Sequence, residues 1–268
     1  MIADLVAEPD DRLLAKQAKH LSFSRINRYL TCPWQYRLYY LTGLRQRYPS
    51  ASLIFGQTIH QSIALYVGTR EDPVGYFLEA WRKVETTALT YSTRESWSSL
   101  RNIGSGLLEK FVNEEAPKLR NIQAIEKSFE LSITNLELPL VGIIDLVADY
   151  ETKRTVIDFK TSASSYDEHE AALSDQLTAY HLAVPDAAQS ALCVLVKTKQ
   201  PKIEWHVTNR DGEQLTEFLA KAEMVASDID AGRFFKRVGR HCGWCDYLPV
   251  CLRDKERAEE TLVQIEIG

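Results

Sequence analysis

The chain has 268 residues, 45% of them hydrophobic and 26% charged, the balance of a globular protein that can bury a core without relying on disulfides. Lys and Arg total 32 against 37 Asp and Glu, a formal net charge of −5 that argues against a generally basic nucleic-acid coat. No run approaches the roughly 18 apolar residues a membrane helix needs, and the start, MIADLVAEPDDR, is acidic where a secretory signal is basic and then apolar, so a cytoplasmic protein with no membrane partner is expected.

Residues 1–21 read as an N-terminal tail, the first eleven of them loose and acidic. Helical signals begin at Ser22 to Ser24, either serine being a good N-cap, and Ile26, Tyr29, Leu30, Pro33, Trp34 and Leu38 recur at near-helical spacing up to Gly43. A second helix is expected to open near Gly56 and carry Ile59, His60, Ile63, Ala64 and Val67, with further helices over 73–90 and 98–116. The period then changes. Ile125 to Ile133 alternates, Leu138 to Tyr150 is rich in Val, Ile and Leu, and Asn135 between them suggests an antiparallel pair. A third strand over Thr155 to Lys160 follows, then a helix over Leu173 to Ala183, strands over Ala191 to Lys197 and Ile203 to Val207, and a long helix from Asp211 to Ala231. The fold class expected is α/β, as a single domain over 22–268: a mostly helical part (22–120), a core (121–210) and a helix with a cysteine-rich closing segment (211–268).

Within Val141-Gly-Ile-Ile-Asp145-Leu-Val-Ala a lone carboxylate sits in an apolar strand, and burying it unpaired costs several kcal/mol or more. It calls for a cation, a metal or an exposed strand end. Asp158 and Lys160, two apart in the next strand, point the same way. If the strands are neighbours, Asp145 and Asp158 can converge on one divalent ion with Lys160 beside it, which is what phosphodiester hydrolysis requires. Taken alone, D-x-K equally fits a same-face ion pair. Gln176-Leu-Thr-Ala-Tyr180 puts an amide and a phenol on one helix face, as an ordinary amphipathic helix would, and His60 in Phe55-Gly56-Gln-Thr-Ile-His60 could simply be packed or solvated.

In order and spacing, however, G-x-x-x-H, G-x-x-D, D-x-K and Q-x-x-x-Y resemble the motif series of the RecB-like branch of the PD-(D/E)XK nuclease superfamily, over about Ser22 to Cys251. The resemblance implies a restriction-endonuclease-like core, a central mixed sheet flanked by helices. It further implies His60, Asp145, Asp158 and the backbone carbonyl of Phe159 as ligands of Mg2+ or Mn2+. Asp145, Asp158 and Lys160 would be catalytic, with Gln176 and Tyr180 contacting DNA or bracing the site.

Cys242-Gly-Trp-Cys245-Asp-Tyr-Leu-Pro-Val-Cys251 is C-x2-C-x5-C and needs a fourth soft ligand to close a metal or cluster site; Cys32 and Cys193 are the candidates. Cys193, within Ala-Leu-Cys-Val-Leu-Val, has the setting of a small buried hydrophobe. The pattern resembles iron–sulfur nucleases, the CRISPR-associated exonuclease family and the AddB nuclease domain among them, which implies a 4Fe–4S cluster on Cys32, Cys242, Cys245 and Cys251. Zinc on four cysteines stays open.

The net charge hides a partition. Arg12 to Arg70 holds nine basic residues and no acid, and Ala231 to Cys245 holds Arg233, Lys236, Arg237 and Arg240, again with no acid. A crosslink from Cys32 to Cys242 would bring the two segments together as a surface for phosphate backbone without base readout. Arg25, Arg28, Arg37, Lys236, Arg237 and Arg240 are its candidate contacts. Tyr29 and the neighbouring Trp34, Tyr36, Tyr39 and Tyr40 are candidates to stack on unpaired bases or to pack the helix. No G-x-x-x-x-G-K-[ST] loop is present, so any unwinding falls to a partner, a helicase or CRISPR adaptation protein. The function expected is a DNA exonuclease acting on single-stranded or free ends, in repair, recombination or CRISPR-type processing. The alternative is a catalytically inactive DNA-binding or assembly subunit of a helicase–nuclease complex.

Overall fold

The computed structural model describes residues 11–16, 18–134, 136 and 138–267. Asn135 and the first ten residues of the expected tail lie outside the described residues. In chain order the helices are α1 (Asp11–Ala15), α2 (Phe23–Thr31), α3 (Pro33–Tyr36), α4 (Ala51–Thr69), α5 (Pro73–Lys83), α6 (Trp97–Lys110), α7 (His169–Ala172), α8 (Asp175–Ala183), α9 (Gly212–Asp230), α10 (Leu248–Leu252) and α11 (Lys255–Thr261). The strands are β1 (Leu44–Gln46), β2 (Leu119–Leu131), β3 (Leu140–Tyr150), β4 (Lys153–Ser162), β5 (Gln189–Val196), β6 (Lys202–Thr208) and β7 (Leu262–Gln264). The chain divides into two compact units. A sheet unit comprises Pro49–Phe129 and Gly142–Leu215; a cysteine unit comprises the residues up to Tyr48, Glu130–Val141 and those from Thr216 on.

The sheet unit is built on strands in the order β2-β3-β4-β5-β6. β3 and β4 are antiparallel, β4 and β5 parallel, and β5 and β6 antiparallel, so the sheet is mixed. Every residue of β5, Gln-Ser-Ala-Leu-Cys-Val-Leu-Val, is buried, as expected of a strand covered on both faces. One face carries Leu146, Ala148, Ile157, Phe159, Ala191, Cys193 and Leu195 against Phe55 and Ile59 of α4, Phe77 and Trp81 of α5, and Leu107 of α6. The other face carries Ile144, Val147 and Val156 against Tyr180 and Val184, and Leu192, Val194 and Val196 against Ala171 and Leu177. Cys193 is thus a core residue, buried like its apolar neighbours.

Helix α4 begins five residues before the expected start. Ser50 takes the N-cap position, and Gly56 lies inside the helix rather than opening it. A helix-interior glycine costs roughly 0.5–1 kcal/mol. What it permits is close approach: a Cβ at Gly56 would lie 3.0 Å from Thr161 Oγ1 on β4. Helix α5 stops at Lys83, and α6 continues through a wider turn over Phe111–Glu115 into β2.

In the cysteine unit, Ser22 caps α2 by accepting from Arg25 N–H at 3.3 Å. Cys32 then separates α2 from α3, which opens on Pro33. Strands β1 and β7 pair antiparallel, and Leu38, Leu44, Tyr247, Val250, Ala258 and Leu262 form the local core. The expected tail is partly structured. Ala15, Ala18 and Leu21 are buried, Asp11 pairs with Arg37 at 2.5 Å, and Leu21 exchanges backbone hydrogen bonds of 2.8 Å with Pro139 and Val141. The physical reason is apolar: three small or branched side chains of that segment have a core to enter. No helix among the described residues is long and apolar enough to cross a membrane.

Candidate active site

His60 sits one helical turn beyond Gly56 on α4, so the close packing of Gly56 on Thr161 carries the imidazole to the strand ends. Its Nδ1 lies 3.4 Å from Asp145 Oδ2, and its ring meets Phe159 edge-on at 6.2 Å. Burial works against charge on His60, but the hydrogen bond and charge of Asp145, with Asp158 behind it, outweigh burial and raise its pKa.

The local path of β3 aims Asp145. The β3–β4 register runs from Tyr150↔Lys153 to Leu146↔Ile157. Ile144 and Val147, three apart, pack into the same cluster, so the strict alternation of the strand slips once at this point. Just past the last registered pair, Asp145 Oδ2 accepts the Phe159 N–H at 2.8 Å, a side chain taking up a backbone donor of β4. The glycine of G-x-x-D acts by its lack of volume: a Cβ at Gly142 would lie 2.6 Å from the Phe129 ring, which packs edge-on against Tyr180 at 6.0 Å.

Asp158 is buried, with Lys160 Nζ 2.7 Å from its Oδ2. Gln176 ties the group together. Its Nε2 donates to Asp158 Oδ1 at 2.9 Å and to the Tyr180 hydroxyl at 2.7 Å, while its Oε1 accepts from Lys160 Nζ at 2.7 Å. Burial, helped by the charge of Asp145, pushes Asp158 up to about 6 against the pull of Lys160 and His60. Burial and the Asp158 charge likewise hold the Tyr180 phenol protonated. The predicted residues therefore meet in two halves, His60 with Asp145 and Asp158 with Lys160, Gln176 and Tyr180, each half within electrostatic reach of the other.

The donor set suits a hard divalent cation. Asp145 raises the pKa of the buried Asp158, a repulsion that a dication would relieve, and Asp158 Oδ2 is a buried oxygen with an ammonium beside it but no aligned hydrogen-bond donor. Among the described residues, however, no three His, Cys, Asp or Glu side chains are arranged to hold a metal ion. At the carboxylate site this reflects the two halves, His60 and Phe159 N–H engaged with Asp145 and Lys160 and Gln176 with Asp158; the cysteines likewise form no such group among the described residues.

In the cysteine unit the four predicted thiols are electrostatic neighbours. Burial raises the Cys251 pKa first, and Cys245, Cys32 and Cys242 add to it against Lys236; burial likewise raises Cys245, with Cys32 contributing. Gln35 Nε2 donates to Cys245 Sγ at 3.4 Å and the Arg237 N–H to Cys32 Sγ at 3.5 Å. The two acid-free segments do come together. Trp34 N–H donates to Phe235 O at 3.0 Å, and the Tyr29 hydroxyl to Arg233 O at 2.7 Å.

That packing changes the expected DNA surface. Tyr29 is buried with its hydroxyl committed, and Arg37 is 1% exposed, paired with Asp11 and stacked 4.7 Å over Trp34, so neither faces solvent. Arg25 and Arg28 are half-buried over Tyr40 and Tyr39 at 4.3 and 3.9 Å. Lys236, Arg237 and Arg240 are exposed, Arg237 bonding Leu30 O and Lys236 reaching Cys251 O at 3.4 Å. Trp244, 77% exposed between Cys242 and Cys245, is an aromatic that sequence reasoning passed over. It also passed over Glu126, which lines a small cleft with His60, Asp145 and Phe159 and has a left-handed φ of 46°, and over Tyr166, within the field of Lys160 and Asp158. Neither carries a motif; a glutamate in a polar strand and a tyrosine in a serine-rich loop look ordinary.

Residues 20–252 match the PD-(D/E)XK nuclease superfamily, and the chain belongs to it. The mixed sheet flanked by helices is its core. No curated protein matches the chain. A crystal structure of a candidate exonuclease from Eubacterium rectale aligns over 92% of this chain and 90% of its own, with 12% identity and a TM-score of 0.54, a likeness of fold. SSO0001 (13% identity, 94% and 98% coverage, TM-score 0.37) and protein VC1899 from Vibrio cholerae (12%, 75% and 58%, TM-score 0.24) are more distant.

Proposed function

We propose that this nuclease-superfamily chain is a divalent-metal-dependent DNA exonuclease acting on single-stranded or free ends, with a cysteine-bound 4Fe–4S cluster as a structural clasp. The observation that carries the reading is Gln176 bridging Lys160 and Asp158, which fixes an ammonium beside a buried carboxylate at a splayed strand end. Asp145, Asp158, His60 and the Phe159 carbonyl are the residues that would hold Mg2+ or Mn2+, and the cation, when bound, supplies Lewis acidity toward water and phosphate. Lys160 orients the attacking water and offsets charge developing on the phosphate oxygens. Gln176 holds that ammonium in place, and Tyr180 fixes the amide's orientation. Hydrolysis breaks one P–O ester bond and forms one P–O bond to the water oxygen; the attacking water gives up a proton to solvent and the leaving alkoxide takes one up from solvent, so the products are a phosphate monoester end and an alcohol.

The same reading places the exposed Lys236, Arg237 and Arg240 and the half-buried Arg25 and Arg28 along the DNA backbone. The cluster rests on the C-x2-C-x5-C spacing with Cys32 and on Cys32, Cys242 and Cys245 all lying near enough to act on Cys251; zinc is the alternative occupant. A helicase or CRISPR adaptation protein is the partner that would supply unwinding. The test is end-labelled single-stranded DNA with and without Mn2+, beside an iron determination. Cleavage should require Mn2+ and vanish in Asp158→Ala and Lys160→Ala while binding persists. Cleavage at the parent rate by either variant rejects the site, and a colourless protein without iron rejects the cluster.

A further inference from the structure

Lys160, Val194 and Glu204 are register partners across β4, β5 and β6, so their side chains stand in one row on one face of the sheet. The chain leaving β4 crosses back over that row. Ser165 Oγ accepts from Lys202 Nζ at 2.8 Å, and the Tyr166 N–H donates to Glu204 Oε2 at 3.3 Å. Glu204 is itself held ionised: burial opposes its charge, and Lys202, Ser165 and the Tyr166 amide outweigh burial. The carboxylate that pairs with Lys202 at 2.5 Å thus also fixes the backbone of one loop residue.

Tyr166 is half-buried, while residues 163–165 and 167–170 on either side are exposed. Its ring packs against the cluster of Ala171, Leu177, Leu192 and Val194 and lies 6.3 Å from His206. The phenol oxygen has no hydrogen-bond partner among the described residues. Burial raises its pKa, and the charges acting on it are Lys160, Glu170 and Asp158, so it stays a neutral donor within the field of the lysine, on the sheet face where Lys160 and Val194 are register partners. A phosphate oxygen only accepts, and a fixed, unspent donor next to an ammonium matches it.

We propose that Tyr166 is a substrate-binding residue whose hydroxyl donates to a non-bridging phosphate oxygen of the DNA backbone beside Lys160. The identity of the substrate rests on the nuclease reading above. Tyr166→Phe keeps the ring and its packing and removes only the donor. For a fluorescein-labelled single-stranded oligonucleotide in chelator, the variant should raise Kd about tenfold, and with Mn2+ it should raise KM similarly with kcat within twofold. Neutral methylphosphonate linkages at the labelled oligonucleotide's end should erase the difference between parent and variant. Unchanged Kd in Tyr166→Phe overturns the proposal, and so does a loss of affinity that persists on the methylphosphonate strand. A parent that binds but never cleaves, with Tyr166→Phe still about tenfold weaker, rejects the exonuclease reading and leaves the contact standing.

Discussion

The carboxylate site and the cysteine cluster are assembled on different principles. In the sheet unit the motif side chains are tied to one another or to backbone: His60 to Asp145, Asp145 to Phe159 N–H, Lys160 and Gln176 to Asp158. In the cysteine unit the thiols are held by a few weak donors, Gln35 and a backbone N–H among them, and burial, then the neighbouring thiols, raise the pKa of Cys245 and Cys251. A site tied by its own hydrogen bonds has its side chains placed without a cation, whereas partly buried thiols with few donors would take their order from a bound metal or cluster.

Substitutions at four positions can break or sharpen that contrast. The largest effect belongs to Cys32→Ser. A cluster joining Cys32 to Cys242 would contribute about 5 kcal/mol by loop closure, so thermal melting should show a loss of that order together with loss of iron. A change under about 1 kcal/mol would place the cysteine unit on the self-sufficient side of the comparison. Next, Lys160→Ala should lower kcat about 10³-fold, roughly 4 kcal/mol of barrier, with the melting temperature shifted by only a few degrees. Gln176→Leu follows, at about 30-fold in kcat. It leaves Lys160 in place but unoriented, so a Gln176→Glu variant, which keeps an acceptor for the lysine, should recover part of the rate. Smallest in stability is Gly56→Ala: the helix gains up to about 1 kcal/mol and the contact with Thr161 at 3.0 Å takes a similar amount back. Its signature is a melting temperature near that of the parent; cleavage reduced about fivefold would show that α4, and His60 with it, shifts, and unchanged cleavage that the Thr161 hydroxyl gives way instead.

The chemistry-bearing residues of the sheet unit were legible in sequence because strand alternation and helical spacing put them on shared faces. D-x-K and Q-x-x-x-Y say where side chains point, and the structure joins them through Gln176. The slip at Asp145 was not legible, since it shows only in which cluster Ile144 and Val147 enter. Nor was the burial of Arg37. An arginine on an amphipathic helix has the pattern of a surface residue, and its partner Asp11 lies in a segment whose composition reads as a tail. Strands β1 and β7 are three residues each, too short for any alternation to register. The surface Arg–Tyr stacks and Tyr166 depend on neighbours from other elements, which spacing within one element cannot reveal.

The parallel pairing of β4 with β5 has a consequence in time. Between those strands the chain must place α7 and α8, and the site also needs α4 and the β3 end, so its contacts are distant in sequence. Non-local pairings of this kind close late, after the entropy of long loops has been met. A chain still folding, or one opened by heat, therefore presents no assembled set of His60, Asp145, Asp158 and Lys160. On the proposed function, competence to cut should return only once these distant contacts have all formed, and the time course of recovered cleavage after dilution from urea, set beside that of recovered helix signal, tests whether it lags.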